Sequence, residues 1–354
     1  MASTGIWSNF AKRSQSLAIK NKLIKESVLS PSLPHGPASL KSKASKVKYV
    51  SPIGMDKIYP LAYEILQKNS ENLYNEIESI DSAIQSSKND SVKLQELKNK
   101  KNELLAAAEE NNPEVVYNSL YATNSLDRSQ PVYRKVLEDK WKSYSRMLTM
   151  QRIESLAIIP DTLPTLEPEV DVKLRFPHNN IETYVEPGTV LSSNVSSKPP
   201  ALEIVEFKEV ENELYTVLIV DPDTPHLAVD GYSTTLHWGL KDVPLSNLDY
   251  TIDAKKLMEN PDSEFVEYLA PTPEKNTGKH RLAVWVFRQK DSQPLKEAPK
   301  NLRRDFFKIR EFVEKNELQP IGAHVWRSTW DRNTEKVREL YGLPKGRIFT
   351  RERL

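Results

Sequence analysis

Apolar positions change their period partway along this chain. From Asp56 to about Asn111 they recur at helical spacing: Ile58, Leu61, Ala62, Ile65 and Leu66 share one face, and Leu73, Ile77, Ile80 and Ile84 continue at intervals of three and four. A polar break at Ser86 to Ser91 separates them from Val92 to Glu110, which carries Leu94, Leu97, Leu104 and Leu105. The pattern predicts two antiparallel helices that bury this stripe. Asn112-Pro113-Glu114 reads as an N-cap with proline in the first helical position. Leu137, Trp141, Tyr144 and Leu148 carry a further helix from near Pro131 to about Ala157, and Pro160, Pro164 and Pro168 then make a stiff extended linker.

Beyond the linker the chain reads as strands. Val170, Val172, Leu174 and Phe176 alternate with polar neighbours, and 202–210 is mostly apolar. Stretch 214–220 is apolar almost without interruption, the pattern of a strand buried on both faces, and 234–240 and 282–288 are expected to supply the rest of the core. The first of these runs into Asp221-Pro222-Asp223-Thr224-Pro225. Neither proline can donate to a sheet ladder, so the expectation is that the strand stops here, with Asp221 and Asp223 on a stiff loop. A helix is expected over 302–315, with Phe306, Ile309 and Val313 on one side, and a last one capped by Asp331 that closes at Gly342 before Pro344. The fold class is therefore α+β.

Two stretches carry a more specific signal. Asp221, Asp223, Pro225, Tyr232 and His237 span the first strand pair, while Tyr268-Leu269-Ala270-Pro271-Thr272-Pro273 precedes Gly278-Lys279-His280-Arg281. At this spacing they resemble the paired signatures of the phosphatidylethanolamine-binding protein family. The segment from Gly322 to Trp330-Asp331 is similar to the family's last strand and the start of its closing helix. The resemblance implies an antiparallel β-sandwich (PEBP-like) over 170–343, with a small anion pocket at Asp221, Asp223, Tyr232, His237 and His280. In such a pocket imidazole N–H groups and a tyrosine hydroxyl donate to a phosphate oxygen while a carboxylate fixes a histidine tautomer. The chain departs from the family at Thr234, Thr235, Ala270, Glu274 and Leu282. A Glu274 carboxylate at the mouth opposes an anion by about 1 to 4 kcal/mol at roughly 4 Å. The expectation is a vestigial pocket without a small-molecule ligand, its residues kept as hydrogen-bonded strand ends.

Charge changes the picture at the ends of the chain. Residues 1–50 hold nine Lys or Arg against Glu26 alone, a balance of +8, and the remainder is −7. This segment is rich in Ser and includes Pro31, Pro34 and Pro37; its composition fits a mitochondrial transit peptide, a flexible tail, or an arm ordered by a partner. The expected organisation is a basic Ser/Pro-rich arm (1–55), a helical extension (56–159), the linker (160–169), the sandwich (170–343) and a basic tail (344–354). Arm and tail suit phosphate contact through Lys12, Arg13, Lys20, Lys22, Lys25, Arg347, Arg351 and Arg353, without base-specific readout.

Other chemistry is hard to place. The chain has no Cys and only 10 Gly, lacks G-x-S-x-G, H-E-x-x-H and Walker motifs, and spreads His35, His178, His226 and His324 far apart. No catalytic residue, metal or cofactor is expected, and no apolar run is long enough for a membrane span. Within the family, the extensions and the stretches 111–114, 159–166, 284–289 and 321–328 resemble the members built into the large subunit of the mitochondrial ribosome, the fungal form in particular. That implies a structural role in the mitochondrial matrix near the central protuberance, with ribosomal RNA and neighbouring ribosomal proteins as partners. The alternative is a free family module that binds an anion or lipid head group or inhibits a protease.

Overall fold

The computed structural model describes residues 5–9, 11–29, 40, 42–50, 52–86, 91–177, 183–295 and 302–350. The chain divides into two compact units, 1–138 and 139–354. The first is helical. Met55–Ser86 and Ser91–Glu109 form the expected hairpin, and Pro113–Tyr121 begins where Asn112 caps it by accepting from the N–H of Glu114. The arm departs from expectation. Ile6, Trp7, Leu17 and Ile19 are buried, and Ile6 and Trp7 pack with Tyr63, Leu66, Tyr74, Ile77 and Ala108. These apolar groups lack any period, so the sequence shows no element, yet residues 5–9 and 11–29 are folded onto the helices as short turns and the helix Lys22–Leu29. A second correction concerns the stripe: Ile58, Leu61 and Ile65 stay more than half exposed. The buried face of that helix is Tyr74, Ile77 and Ile80, with Tyr63, Leu66 and Leu73 partly buried beside them.

Among the described residues the second unit holds nine strands: β1 Asp171–Arg175, β2 Val190–Leu191, β3 Ala201–Val205, β4 Glu211–His226, β5 Gly231–Ser246, β6 Thr251–Ile252, β7 Glu264–Val266, β8 Lys279–Arg288 and β9 Gln319–Thr329. They form a three-stranded sheet, β1-β3-β6, and a six-stranded sheet, β2-β9-β8-β4-β5-β7. All pairings are antiparallel except β2 with β9, which is parallel, so the larger sheet is mixed rather than the purely antiparallel one expected. One face of the large sheet (Val217, Ile219, Trp238, Val284, Val286, Trp326) shares an apolar cluster with Val172, Leu174, Leu202, Ile204 and Ile252 of the small one. Its other face (Leu218, Val220, Leu236, Trp285, Phe287, Val325) is covered by Ile153, Ile158, Leu163, Leu166 and Phe312. Both faces are buried, which is why 214–220 and 282–287 read as nearly unbroken apolar runs. It also explains why residues 139–169, expected with the helical extension and linker, fall in the second unit.

Two further expectations change. β4 does not stop at Asp221. A register shift between Asp221 and Thr224 absorbs the prolines, and Thr224, Pro225 and His226 pair with Ser233, Tyr232 and Gly231 of β5. On its other side β4 pairs with β8 only over 215–220, so both prolines lie on a free edge of the ladder where a missing N–H costs nothing. The helix expected over 302–315 is shortened to Ile309–Lys315, because the backbone before it is a turn hydrogen-bonded to β5: the N–H of Leu236 donates to Arg304 O and that of Phe307 to Thr234 O. Phe306 between them adopts φ +62°, which a helix does not allow. The helix expected from Pro131 is present as Pro131–Lys140 and Arg146–Ser155 with one π-helical turn, Trp141–Ser145, between them. The last helix is Thr334–Leu340; its N-cap residue is Asn333, with Asp331 just upstream accepting from Asn333 N–H and the Thr334 hydroxyl.

Candidate functional site

The sheet order β8-β4-β5 places His280, Asp221 and His237 on three adjacent strands. All three side chains are buried. His280 Nδ1 donates to Asp221 Oδ2 at 2.7 Å, and the backbone N–H of Asp223 donates to Oδ1 at 2.8 Å. His280 Nε2 lies 2.9 Å from the Thr277 hydroxyl, which itself donates to the Glu274 carbonyl at 2.9 Å. With that hydroxyl proton committed, His280 donates from both ring nitrogens, which is the imidazolium form. Burial alone would push its pKa down, but the hydrogen bond and charge of Asp221 outweigh it and hold the ring above the ordinary histidine range. Burial would likewise raise the Asp221 carboxyl; His280 and, more weakly, His237 keep it below the usual carboxylate range.

His237 is in a different state. Its Nδ1 donates to Leu269 O at 2.8 Å, and its Nε2 stands 3.9 Å from Asp221 Oδ2, beyond hydrogen-bond reach. Burial lowers its pKa, so near neutrality the ring is uncharged with Nε2 unprotonated. The cluster is thus a self-neutralised carboxylate–imidazolium pair beside a neutral imidazole. Neither ring offers an uncommitted N–H to an arriving anion.

The other two expected pocket residues lie elsewhere. Asp223 accepts from Arg281 through the backbone N–H, Nε and the terminal guanidinium nitrogen, at 2.6 to 3.1 Å. Arg281 donates onward to Leu156 O, Ala157 O and Asp161 Oδ2, so the pair fastens 156–161 to the sheet. Tyr232 sits across from Pro225 on the hairpin and is 71% exposed, outside the cluster. Glu274 stays close enough to the cluster for its charge to help hold His280 up, and its carboxylate also accepts the N–H of Arg347 at 3.2 Å. Residues 347–349 run beside 274–276, with Lys275 N–H donating to Arg347 O and Phe349 N–H to Lys275 O. Thr277, the Leu269 carbonyl and this tail contact were not read from the sequence; the position of Thr277, three residues before His280, was the one available signal.

The basic candidates sort by burial. Arg13 is buried in the helical unit, where it donates to the Trp7 carbonyl and pairs with Glu109 at 3.2 Å and Glu114 at 3.1 Å. This removes it from any nucleic-acid surface. Lys25 pairs with Glu114 at 3.0 Å and Lys12 with Glu78 at 2.6 Å. Lys20, Lys22 and Arg347 are exposed, and Arg351 and Arg353 lie outside the described residues. Among the described residues no group of His, Asp or Glu has metal-site geometry, and no helix is long and apolar enough to cross a membrane.

Comparison with known proteins gives four findings. The profile of the phosphatidylethanolamine-binding protein family matches residues 177–326. The large ribosomal subunit protein mL38 of Schizosaccharomyces pombe is 34% identical over 224 residues, covering 62% of this chain and 68% of the relative. CEN-like protein 4 of Nicotiana tabacum is 32% identical over 154 residues, 43% of this chain and 78% of the relative. A phosphatidylethanolamine-binding protein structure from Plasmodium vivax is 19% identical, with a TM-score of 0.40 over 52% of this chain and 98% of that one.

Proposed function

This chain belongs to the phosphatidylethanolamine-binding protein family, and from that premise we propose that it is a structural constituent of the large subunit of the mitochondrial ribosome. The observation that carries the reading is the extent of the likeness to mL38, 224 residues against 154 for the plant relative, which takes in more of the chain than the family domain at 177–326. The state of the buried cluster supports it. Asp221 and His280 neutralise each other and His237 spends its N–H on Leu269, so the geometry favours a packing role over ligand binding. Its partners are ribosomal RNA, reached through Lys20, Lys22 and Arg347, and neighbouring ribosomal proteins in the central protuberance region, and it acts in translation in the mitochondrial matrix. The two-sheet domain, with its mixed six-stranded sheet, serves as the scaffold. Sucrose-gradient sedimentation of native mitochondrial extract tests this: the full chain travels with the large subunit. A chain that stays at the top of the gradient and binds inorganic phosphate between His237 and His280 overturns the reading in favour of a free binding module.

A further inference from the structure

Three stretches of the second unit meet at the end of the six-stranded sheet where β8 begins and β9 finishes. Lys279 of β8 pairs with Thr329 of β9, and the Thr329 hydroxyl donates to Gly278 O at 3.2 Å. The Lys275 ammonium stands 4.8 Å from the centre of the Trp330 ring. The tail lies against the same loop: Lys275 N–H donates to Arg347 O, Phe349 N–H to Lys275 O, and the Asn276 amide to Phe349 O at 2.6 Å. Five cations, Lys275, Lys279, Arg332, Lys345 and Arg347, sit at these contacts or within two residues of one. Lys275 is half-buried and the other four are exposed.

The acids of these stretches are engaged elsewhere. Glu274 accepts from Arg347 N–H, and Asp331 accepts from Ser192, Ser193, Thr334 and the N–H of Asn333. Asp223, which faces the start of β8, is paired with Arg281. The helix Thr334–Leu340 adds Lys336 and Arg338 together with Glu335 and Glu339, which leaves the balance as it was. Among the described residues none of the five cations forms an ion pair with a carboxylate. Cations gathered without counter-charges raise the local potential and attract a polyanion.

We propose that this end of the sheet is a binding surface for the phosphate backbone of RNA. The proposal rests on the ribosomal reading and deepens it, adding Lys275, Lys279, Arg332 and Lys345 to the Arg347 contact. The cations come from three separate stretches rather than one row, which suits a continuous chain of phosphates better than the spaced carboxylates of an acidic helix. Gly278, at φ +99°, has nothing within 4 Å of where a Cβ would stand, so a ligand can approach the main chain there.

The test measures binding of a mixed-sequence single-stranded RNA to the purified full-length chain over a series of salt concentrations. Lys275→Gln/Lys279→Gln/Arg332→Gln should weaken binding at least about ten-fold at low salt and make the slope of log affinity against log salt shallower by about 2, at roughly 0.7 for each cation. Lys255→Gln/Lys290→Gln/Lys308→Gln removes the same charge from exposed positions that already pair with glutamates, and should keep the parent slope. A misfolded fraction lowers the amount bound but not the slope. An unchanged slope in the first variant, an equal change in the second, or tighter binding of polyglutamate or phosphatidylserine vesicles than of RNA each overturn the proposal. Sedimentation separates it from the reading beneath it: if the slope changes as expected but the parent chain never travels with the large subunit, the ribosomal reading fails and the RNA surface stands.

Discussion

At the scale of single residues, three buried histidines titrate in different directions, and the difference comes from their partners. His324 on β9 donates from Nε2 to Val185 O at 2.9 Å and meets no carboxylate there; burial pushes its pKa down to about 4. Unfolded, the ring titrates near 6.5. Between these values the unfolded chain binds a proton that the folded chain does not, so stability falls as pH drops from 6.5 toward 4, by about 3 kcal/mol over the whole window. His280 has the opposite sign: its pKa is raised, so its contribution is full below 6.5 and is lost as pH rises through the folded value. Asp221, held low, contributes above its ordinary value near 4 and loses that as pH falls through its folded value. Urea unfolding at pH 7 and pH 5 should therefore show His324→Gln losing less stability on acidification than the parent chain. In Asp221→Asn, the NMR titration of His280 should move down, because the hydrogen bond and charge that hold it up are gone. Equal acid sensitivity of His324→Gln and the parent would show that the ring is not the source. The sequence identified Asp221, His237 and His280 as one group because their spacing is a family signature. It could not reveal their charge states, which depend on Thr277 and the Leu269 carbonyl, groups with no pattern of their own.

At the scale of elements, periodicity located the helices but not their inner faces. Met55–Ser86 was legible as a helix, yet the stripe that reads most clearly, Ile58 to Ile65, stays in water. What decides its inner face is the aperiodic arm: Trp7 stacks edge-on against Tyr63 at 5.2 Å and its indole N–H donates to Ser70 Oγ. Arg13 completes that attachment by joining Glu109 at the end of one helix to Glu114 at the start of the next. Replacing it by Met leaves the buried Glu109 carboxylate without its cation and Glu114 with Lys25 alone, a change that costs about 3 to 5 kcal/mol when one partner of a buried pair is removed. Arg13→Met should lower the unfolding temperature of the helical unit and expose 5–29 to hydrogen exchange, while the amides of β4 and β8 keep their protection. Adding Glu109→Gln and Glu114→Gln should recover part of the loss. If Arg13→Met unfolds like the parent, the arm is not fastened by this triad. In the sheets the outcome is reversed: 214–220 and 282–287 were legible because both faces are buried. The continuation of β4 through two prolines was not, since it depends on which neighbour the edge lacks.

For the whole molecule, the distribution of charge matters more than the near-neutral total. The +8 count for residues 1–50 treats every lysine and arginine as available, but Arg13 is buried between two carboxylates and Lys12 and Lys25 face Glu78 and Glu114. Exposed pairs such as Lys12–Glu78 hold weakly and can be exchanged for phosphate, whereas Arg13 cannot leave without stranding the buried Glu109. The proposed nucleic-acid contact therefore falls to Lys20, Lys22 and the tail. Removing one cation that neutralises a phosphate should lessen the slope of log affinity against log salt by about 0.7 to 0.9. Lys20→Glu/Lys22→Glu should come off purified large subunits at a lower salt concentration than the parent, with a slope shallower by about 1.4 to 1.8. Arg13→Met measured alongside it separates the roles, because a folding defect shifts the amount bound without changing the slope. Identical release curves for Lys20→Glu/Lys22→Glu and the parent would mean that the arm's charge neutralises its own helices and that attachment rests on protein contacts instead.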